Sequence, residues 1–356
     1  MLLLLIIFVA IHLLITISFT LAVSTWKSQS NTQLPSISII IAARNEADQL
    51  RSLIPALVSQ QYPDFEIVIG LDRCEDESVE YLEIYPETSL RWIDIQQVPA
   101  GWNAKKHALN TAIESSKGQW LVFTDADCVP DSKEWLRSLA REMTTQTNVV
   151  LGVSPYPAKR SFLSHFIQFE GFMTYFLYTG FTRLKRPYMG VGRNMAVRKS
   201  YFLELHGYED IKQIQGGDDD LFIQKADKRG IALALGKNSL VNTMPSASMT
   251  AYKKQKIRHL SVGSYYSWLD STLLSTYHFI HLTLIVLTIL NFGNTFLLPT
   301  ILFYLFIKFV SYRFVASKIG AGFNYILLPI VDTLYACMIP IIGIWSKFIK
   351  DIEWKN

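Results

Sequence analysis

The sequence QWLVFTDAD at positions 119–127 places four consecutive apolar residues and a threonine before two aspartates, Asp125 and Asp127. An apolar run that ends in polar residues is typical of a parallel strand buried on both faces. The two carboxylates would then stand where the strand ends, fixed by the edge of a sheet. Two neighbouring hard oxygen ligands suit Mg²⁺ or Mn²⁺ that carries substrate phosphates. A solvated turn that caps the following helix is the alternative.

Similar runs upstream indicate that this strand belongs to a larger sheet. Short apolar stretches occupy 37–42, 65–71 and 90–95, and residues at helical spacing lie at 50–58 and 103–115. Strands that alternate with helices predict an α/β fold with right-handed crossovers. Ligands of such sheets bind beyond the carboxyl ends of the strands. We therefore expect one crevice to be lined by the polar residues that follow these strands: Arg44, Asn45, Asp72, Asp125 and Asp127.

A second acidic cluster lies further along the chain. Asp218, Asp219 and Asp220 follow the paired glycines Gly216 and Gly217. Adjacent like charges are unfavourable unless a cation or substrate binds there, or one carboxyl group has a raised pKa. A general base is therefore plausible at this position. The alternative is that the aspartates cap a helix and complement its dipole.

The composition indicates that part of the chain lies in lipid. Of 356 residues, 50% are hydrophobic and 18% are charged, whereas a soluble globular protein carries about 25% charged residues. The first 26 residues contain no charged side chain, and about 20 apolar residues suffice to cross the hydrocarbon core of a bilayer. We expect residues 1–26 to form a transmembrane anchor, with a cleaved signal peptide as the alternative.

Residues 272–356 are expected to form a C-terminal membrane region of two to three helices. Three apolar stretches have lengths that fit spanning helices, at 273–290, 295–315 and 323–348. The last stretch is interrupted by Pro329, Asp332 and Pro340. If the anchor and all three stretches crossed while residues 27–271 were cytoplasmic, the basic tail at 345–350 would lie outside, against the tendency of Lys and Arg to lie on the cytoplasmic side. The last stretch is therefore the candidate for a re-entrant or interfacial segment.

The distribution of basic residues predicts which membrane contains the protein and on which side its middle domain lies. Lys308, Arg313 and Lys318 mark the loop after the second C-terminal stretch as cytoplasmic, because cytoplasmic loops are enriched in Lys and Arg. This pattern predicts a multi-pass protein of the plasma (inner) membrane, with residues 27–271 on the cytoplasmic side.

The net charge of +4 and the pI of about 8.7 are too mild for a nucleic-acid-binding protein. Three separate cysteines form neither a disulfide framework nor a zinc site.

Two further segments of the middle domain stand out. Residues 160–186 carry aromatic side chains at helical spacing and end in a basic run, which indicates a helix in the membrane interface or, alternatively, a core helix. Gln255 and Arg258 would share one face of a helix just before the C-terminal membrane region. A guanidinium at that position could bind a diphosphate, and a basic cluster on anionic headgroups is the alternative.

Taken together, the motifs between positions 35 and 266 resemble a family 2 glycosyltransferase with a GT-A nucleotide-sugar-binding domain. The resemblance rests on ordered motifs along the chain: Ala42-Ala43-Arg44-Asn45-Glu46, Asp72-x-Cys74-x-Asp76-x-Ser78, Lys105-x-x-Ala108-Leu109-Asn110, Asp125-x-Asp127 and Gly192-Arg193-Asn194. The fold that this resemblance implies is a Rossmann-like mixed sheet with flanking helices, plus transmembrane helices at both ends.

The resemblance also implies residue roles. Ala43, Arg44, Glu46 and Lys105 would belong to the nucleotide-sugar site, and Asp72 would contact the nucleobase. Asp125 and Asp127 would form the metal and diphosphate motif, and Arg193 would lie near the donor sugar.

Two motifs depart from the family pattern. The family base is the Asp of a Glu-Asp pair; aligned on Leu221, it is Asp218, with Gly217 in place of the Glu and Asp219 as a second candidate. Gln255-x-x-Arg258-His259 resembles the Gln-x-x-Arg-Trp motif of processive synthases and ceramide glucosyltransferases, with His in place of Trp.

The function that the resemblance implies is that of an inverting, Mg²⁺- or Mn²⁺-dependent hexosyltransferase. Its donor would be a nucleotide-sugar, with a UDP-sugar favoured because Asp72 is compatible with a uracil-type base. Its acceptor would be a membrane lipid or a lipid-linked glycan. The alternatives are a processive polysaccharide synthase, a non-catalytic scaffold that binds glycan or nucleotide-sugar, and a transporter, which would need ionisable residues inside its spanning helices.

Overall fold

A computed structural model describes residues 1–157 and 159–349 of the chain. Strands among these residues are, in chain order, β1 (Ile37–Ala43), β2 (Phe65–Asp72), β3 (Leu90–Ile95), β4 (Trp120–Phe123), β5 (Cys128–Pro130), β6 (Val149–Leu151), β7 (Met195–Arg198), β8 (Ile231–Leu233) and β9 (Val241–Thr243). The α-helices are α1 (Leu2–Ser24), α2 (Ala47–Val58), α3 (Ser78–Glu83), α4 (Ala104–Ser115), α5 (Trp135–Ala140), α6 (Phe162–Arg183), α7 (Lys199–Glu204), α8 (Asp220–Lys225), α9 (Met249–Ser261), α10 (Trp268–Leu290), α11 (Leu297–Ile319) and α12 (Leu328–Ser346).

The described residues form two compact units. The sheet unit contains residues 27–156 and 189–244, and the helical unit contains residues 1–26, 157–188 and 245–349. This division differs from the expected middle domain of 27–271. Residues 157–188 and 245–271 belong to the helical unit because α6 packs on α1 and α12, and α9 packs on α12.

The sheet unit is built on seven strands in the order β3-β2-β1-β4-β7-β6-β8. Strands β3, β2, β1 and β4 are parallel neighbours, whereas β7 is antiparallel to both β4 and β6. The strand at 119–127 is thus the central one. The mixed α/β fold class is confirmed, and β1, β2 and β3 lie where the apolar stretches predict strands.

Burial on both faces explains why the parallel strands are continuously apolar. Ile39 and Ile41 of β1 pack in a core cluster with Leu50 and Leu53 of α2. Ile40 points to the opposite face and is equally buried. Such strands cannot alternate between apolar and polar residues, because neither face meets water.

The helical unit contains four segments long and apolar enough to cross a bilayer: Leu2–Ser24, Trp268–Leu290, Leu297–Ile319 and Tyr325–Ser346. The membrane-spanning character predicted for both ends of the chain is therefore supported by length and composition. Helix α6 is present at the position of the predicted aromatic helix, but it is buried from Phe169 to Gly180 with the exception of Thr174. Within this unit it is a core helix, and contact with a membrane interface stays a prediction.

A close approach between β2 and α4 makes Gly70 sensitive to substitution. A Cβ atom at Gly70 would lie 2.3 Å from the carbonyl oxygen of Ala108. We expect Gly70→Ala to lower the free energy of unfolding by about 1–3 kcal/mol, the usual cost of overpacking. Thermal unfolding of the purified protein measures it. The exposed Glu114→Ala on α4 is the control and should change stability by no more than about 0.5 kcal/mol. Equal stability of the two variants would contradict the assigned contact.

Candidate active site

The ends of three neighbouring parallel strands carry polar side chains at one edge of the sheet. Arg44 follows β1, Asp72 ends β2, and Asp125 lies two residues after β4. The guanidinium of Arg44 is 3.9 Å from the carboxylate of Asp72. These residues therefore lie at the edge of the sheet where the strand topology predicts a crevice.

Lys105 joins two acidic segments that are far apart in sequence. Its Nζ lies 3.0 Å from Asp125 Oδ1 and 3.0 Å from Asp218 Oδ2. Burial would lower the pKa of Lys105, but the carboxylates of Asp125 and Asp218 outweigh it and raise that pKa well above its ordinary value. The lysine is therefore a fixed positive charge between the acidic cluster at the sheet edge and the one that follows the paired glycines.

The two candidate bases have different surroundings. Asp219 is held by backbone donors: its Oδ2 accepts the N–H of Gly192 at 2.6 Å, and its Oδ1 accepts the N–H of Asp220 at 2.8 Å. Burial and the neighbouring Asp218 raise the pKa of Asp219. For Asp218, burial acts to raise the pKa, but Lys105 and Lys106 reverse this and lower it. Asp219 thus caps α8, as the alternative reading of the cluster expects, whereas Asp218 faces the lysine.

A group of possible metal ligands lies beside Lys105. Asp125, Asp127 and Cys128 each offer one ligand atom, and these atoms lie within 4.8 Å of one another. Burial and then Asp127 raise the pKa of Cys128 well above its ordinary value. A thiol is a soft ligand, whereas the two carboxylates supply hard oxygen atoms. Hard oxygen ligands of this kind fit Mg²⁺ or Mn²⁺.

Asp72 is bound more tightly than the sequence suggests. Its carboxylate is fully buried, and Arg73 donates to both oxygens, at 2.8 Å from Nε and 3.1 Å from Nη2. Sequence reasoning missed Arg73, which has a φ of 44°. An uncommon left-handed backbone conformation cannot be recognised from an arginine in the sequence.

Lys106 lies beside Lys105 at the N-terminus of α4, a position that would favour contact with phosphate. In the structure it is buried, and its Nζ donates to the carbonyl oxygens of Ile214 at 2.5 Å and Gly216 at 2.6 Å. Asn103, the N-cap of α4, donates to the side chain of Gln215 at 2.7 Å. The start of α4 therefore holds the loop that leads to Asp218.

The sheet unit contains three further predicted residues, Ala43, Glu46 and Arg193. Arg193 donates to Ser154 Oγ at 2.7 Å, and its guanidinium lies 5.4 Å from the ring centre of Tyr156. Ala43 is the buried last residue of β1, and Glu46 is the buried N-cap of α2. Their roles in donor binding stay predictions.

Gln255 and Arg258 belong to the helical unit, on α9. The Oε1 of Gln255 accepts a hydrogen bond from Ser246 Oγ at 2.9 Å. Lys256, between them, is buried and forms an ion pair with Glu170 of α6 at 2.5 Å. This pair fixes α9 on α6. A role for Gln255 and Arg258 in diphosphate or acceptor binding stays a prediction.

Comparison with known proteins shows what part of this chain is similar to. Residues 38–205 match the sequence model of Glycosyl transferase family 2. The chain is 27% identical over 140 residues to the 4,4'-diaponeurosporenoate glycosyltransferase of Staphylococcus aureus, covering 39% of this chain and 36% of that protein. It is 34% identical over 112 residues to the uncharacterized glycosyltransferase YibD of Escherichia coli, covering 30% of each. The matches span only about a third of the length of these relatives.

A solved structure supports the fold. The mannosyltransferase PcManGT from Pyrobaculum calidifontis, in complex with GDP-Man and Mn²⁺, superimposes with a TM-score of 0.59 at 15% identity. The alignment covers 96% of this chain and 98% of that one. The chain thus has a GT-A-like fold, and residues 38–205 of it match the model of Glycosyl transferase family 2.

The anchoring role of Lys106 can be measured. We expect Lys106→Met to lower the free energy of unfolding by about 1–3 kcal/mol, because two buried carbonyl groups lose their donor. Chemical denaturation of the purified protein measures the change. Lys117→Met removes an exposed lysine from the same unit and should change stability by no more than about 0.5 kcal/mol. If Lys106→Met is as stable as this control, the two hydrogen bonds do not hold the loop.

Proposed function

We propose that the family 2 glycosyltransferase domain of this chain transfers a sugar from a nucleotide-diphospho-sugar to a hydroxyl group of a membrane lipid or lipid-linked glycan, with inversion at the anomeric carbon. The observation that supports this most strongly is the bridge from Lys105 to Asp125 and Asp218. It unites a carboxylate suited to metal binding with one suited to proton transfer. The four apolar helices support a membrane acceptor.

The proposed chemistry is a single displacement. Asp218 takes the proton from the acceptor hydroxyl as its oxygen attacks the anomeric carbon from the face opposite the diphosphate. The bond from that carbon to the diphosphate oxygen breaks with its electron pair, and inversion follows without a covalent intermediate. Asp219 keeps the loop of Asp218 in place through its backbone hydrogen bonds. The pKa of Asp218, lowered by its lysine neighbours, keeps this carboxylate ionised and able to accept a proton.

The leaving diphosphate requires positive charge. Lys105 supplies one fixed charge at the sheet edge. A divalent cation held by Asp125 and Asp127 would add charge that neutralises the diphosphate as it leaves. Arg193 would orient the donor sugar.

The remaining part of the proposal concerns donor and location. Asp72 with Arg44 would bind the nucleobase, which favours a UDP-sugar. Arg73, which holds both oxygens of Asp72, would then keep that carboxylate oriented. The domain would lie on the cytoplasmic side of the plasma membrane. Release of nucleoside diphosphate from a panel of UDP- and GDP-sugars by the purified protein tests the donor, and mass spectrometry of lipids from cells with and without the protein tests the acceptor.

The assignment of the base predicts a specific kinetic defect. Asp218→Asn should lower kcat by about 10²–10⁴-fold, the usual contribution of a positioned general base, with a nearly unchanged KM for the donor. Release of nucleoside diphosphate in the presence of acceptor measures both constants. The exposed aspartate in Asp131→Asn is the control and should leave them unchanged. Near-normal kcat in Asp218→Asn would refute its role as the base.

Asp219→Asn separates the two candidates. Because both oxygens of Asp219 accept backbone hydrogen bonds, its amide variant should lose stability as well as activity. If Asp219→Asn instead stops turnover with unchanged stability while Asp218→Asn remains active, the roles of the two residues are exchanged.

Metal dependence gives an independent test. Chelation with EDTA should abolish turnover, and added Mn²⁺ or Mg²⁺ should restore it. Loss of a second-shell partner typically costs about 10–100-fold in metal affinity, so Asp127→Asn, which removes a direct ligand, should raise the metal concentration needed for half-maximal rate at least as much. Titration of each variant with Mn²⁺ measures this. If EDTA does not change turnover, the assigned role of Asp125 and Asp127 is contradicted.

A further inference from the structure

A buried ion pair marks the middle of the helical unit. Lys308 Nζ of α11 lies 2.6 and 2.7 Å from the two carboxylate oxygens of Asp332 of α12, and His281 Nε2 of α10 lies 3.1 Å from the same carboxylate. Lys308 is the twelfth of the 23 residues of α11 counted from Leu297. Asp332, however, is only the fifth residue of α12 counted from Leu328. Helix α12 therefore begins only about one helical turn from the level of the ion pair, which lies at the middle of α11.

The ends of the spanning helices define two sides. Arg183 of α6 donates to Thr25, next to the end of α1, at 3.0 Å. Arg186 pairs with Asp270, near the start of α10, at 3.4 Å. We call the side where α1 ends and α10 begins the near side. A six-residue loop, 291–296, joins α10 to α11 on the far side, so α11 ends on the near side at Ile319.

Ring contacts give the direction of α12. Asp332 contacts His281, and three residues later the ring of Tyr335 lies 5.7 Å from that of His278. As the residue number rises along α12, it therefore falls along α10, and the two helices are antiparallel. Because α10 starts on the near side, α12 runs toward the near side.

The segment before α12 runs back into the bundle. Phe323 lies 4.9 Å from the ring of Phe169 and 6.4 Å from that of Tyr312. Tyr325 lies 5.7 Å from the ring of Phe309, which is ten residues before Ile319 and therefore about 15 Å deeper along α11. Asn324 satisfies part of the non-helical backbone there, since its side chain accepts a hydrogen bond from the N–H of Ile326 and its carbonyl oxygen accepts one from the N–H of Leu327. Irregular backbone at membrane depth requires such partners.

The length of α12 matches a return to the near side. Fourteen residues separate Asp332 from the end of the helix at Ser346, which corresponds to about 21 Å. That is enough to cross half of a hydrocarbon core of about 30 Å. On this path α12 packs on α9 and α6, and α9 leads directly into the start of α10.

The charge distribution agrees with this path. The far-side loop 291–296 carries no charged residue. The near side carries Lys185, Lys254 and Lys318, and a returning α12 adds Lys347 to them. Lys and Arg concentrate on one side of a membrane protein. A spanning α12 would instead place Lys347 on the side of the uncharged loop 291–296.

We propose that residues 320–346 form a re-entrant hairpin that enters the bilayer from the near side, turns about one helical turn beyond the Lys308–Asp332 pair, and returns to the near side. Three helices, α1, α10 and α11, then cross the membrane. The ion pair holds the turn of the hairpin inside protein, where an ionised side chain facing lipid would be costly.

Single cysteines report the sidedness of the full-length protein in sealed membrane vesicles of known orientation. The background carries Cys74→Ala and Cys337→Ala and keeps the buried Cys128. A membrane-impermeant biotin maleimide probes Lys347→Cys, an exposed position. Ser264→Cys is the near-side reference and Thr295→Cys the far-side reference, and both positions are exposed.

We expect Lys347→Cys to label in the same vesicle orientation as Ser264→Cys and to be protected in the orientation that labels Thr295→Cys. Labelling together with Thr295→Cys, or in both orientations, would overturn the hairpin. Phe348→Cys, also exposed, repeats the test if Lys347→Cys does not reach the membrane.

Discussion

The electrostatic bridge through Lys105 is the interaction on which the candidate site depends. Asp125 and Asp218 are 93 residues apart in the sequence, yet a carboxylate oxygen of each lies 3.0 Å from the ammonium group of Lys105. Without it, two partly buried anions would face each other, and one would have to take up a proton. The bridge therefore sets the ionisation of the acidic cluster as well as its geometry.

Hydrogen bonds between side chains and backbone groups hold the acidic loop in position. Gly192 donates its N–H to Asp219, and the carbonyl groups of Ile214 and Gly216 accept from Lys106. Gly216 and Gly217 have φ values of 76° and 72°, which favour glycine. The paired glycines thus provide the turn, and Lys105 and Lys106 hold its two sides.

The helical unit follows a different physical rule. In an apolar environment every ionised side chain needs a partner, and Lys308 and Asp332 supply one another. In the sequence, Lys308 counts among the basic residues that mark the loop after the second C-terminal stretch, and Asp332 interrupts the third stretch. The structure instead places Lys308 in the middle of α11, away from that loop. In the structure the two residues are the contact that shows how α12 is placed against α11.

Several features followed directly from the order of residues. The parallel strands were predictable because strands buried on both faces must be apolar along their length, and the four apolar helices because a bilayer demands a minimum length. The approximate position of Asp125 and Asp127 followed from that of β4. Other features depended on contacts between distant segments: the pairing of Lys105 with Asp218, the use of Lys106 as an anchor and the direction of α12. The clamp of Arg73 on the adjacent Asp72 depended instead on the left-handed backbone conformation of Arg73. A linear sequence contains the charges of these residues but not the distances between them, and Coulomb energies, desolvation and hydrogen bonding depend on those distances.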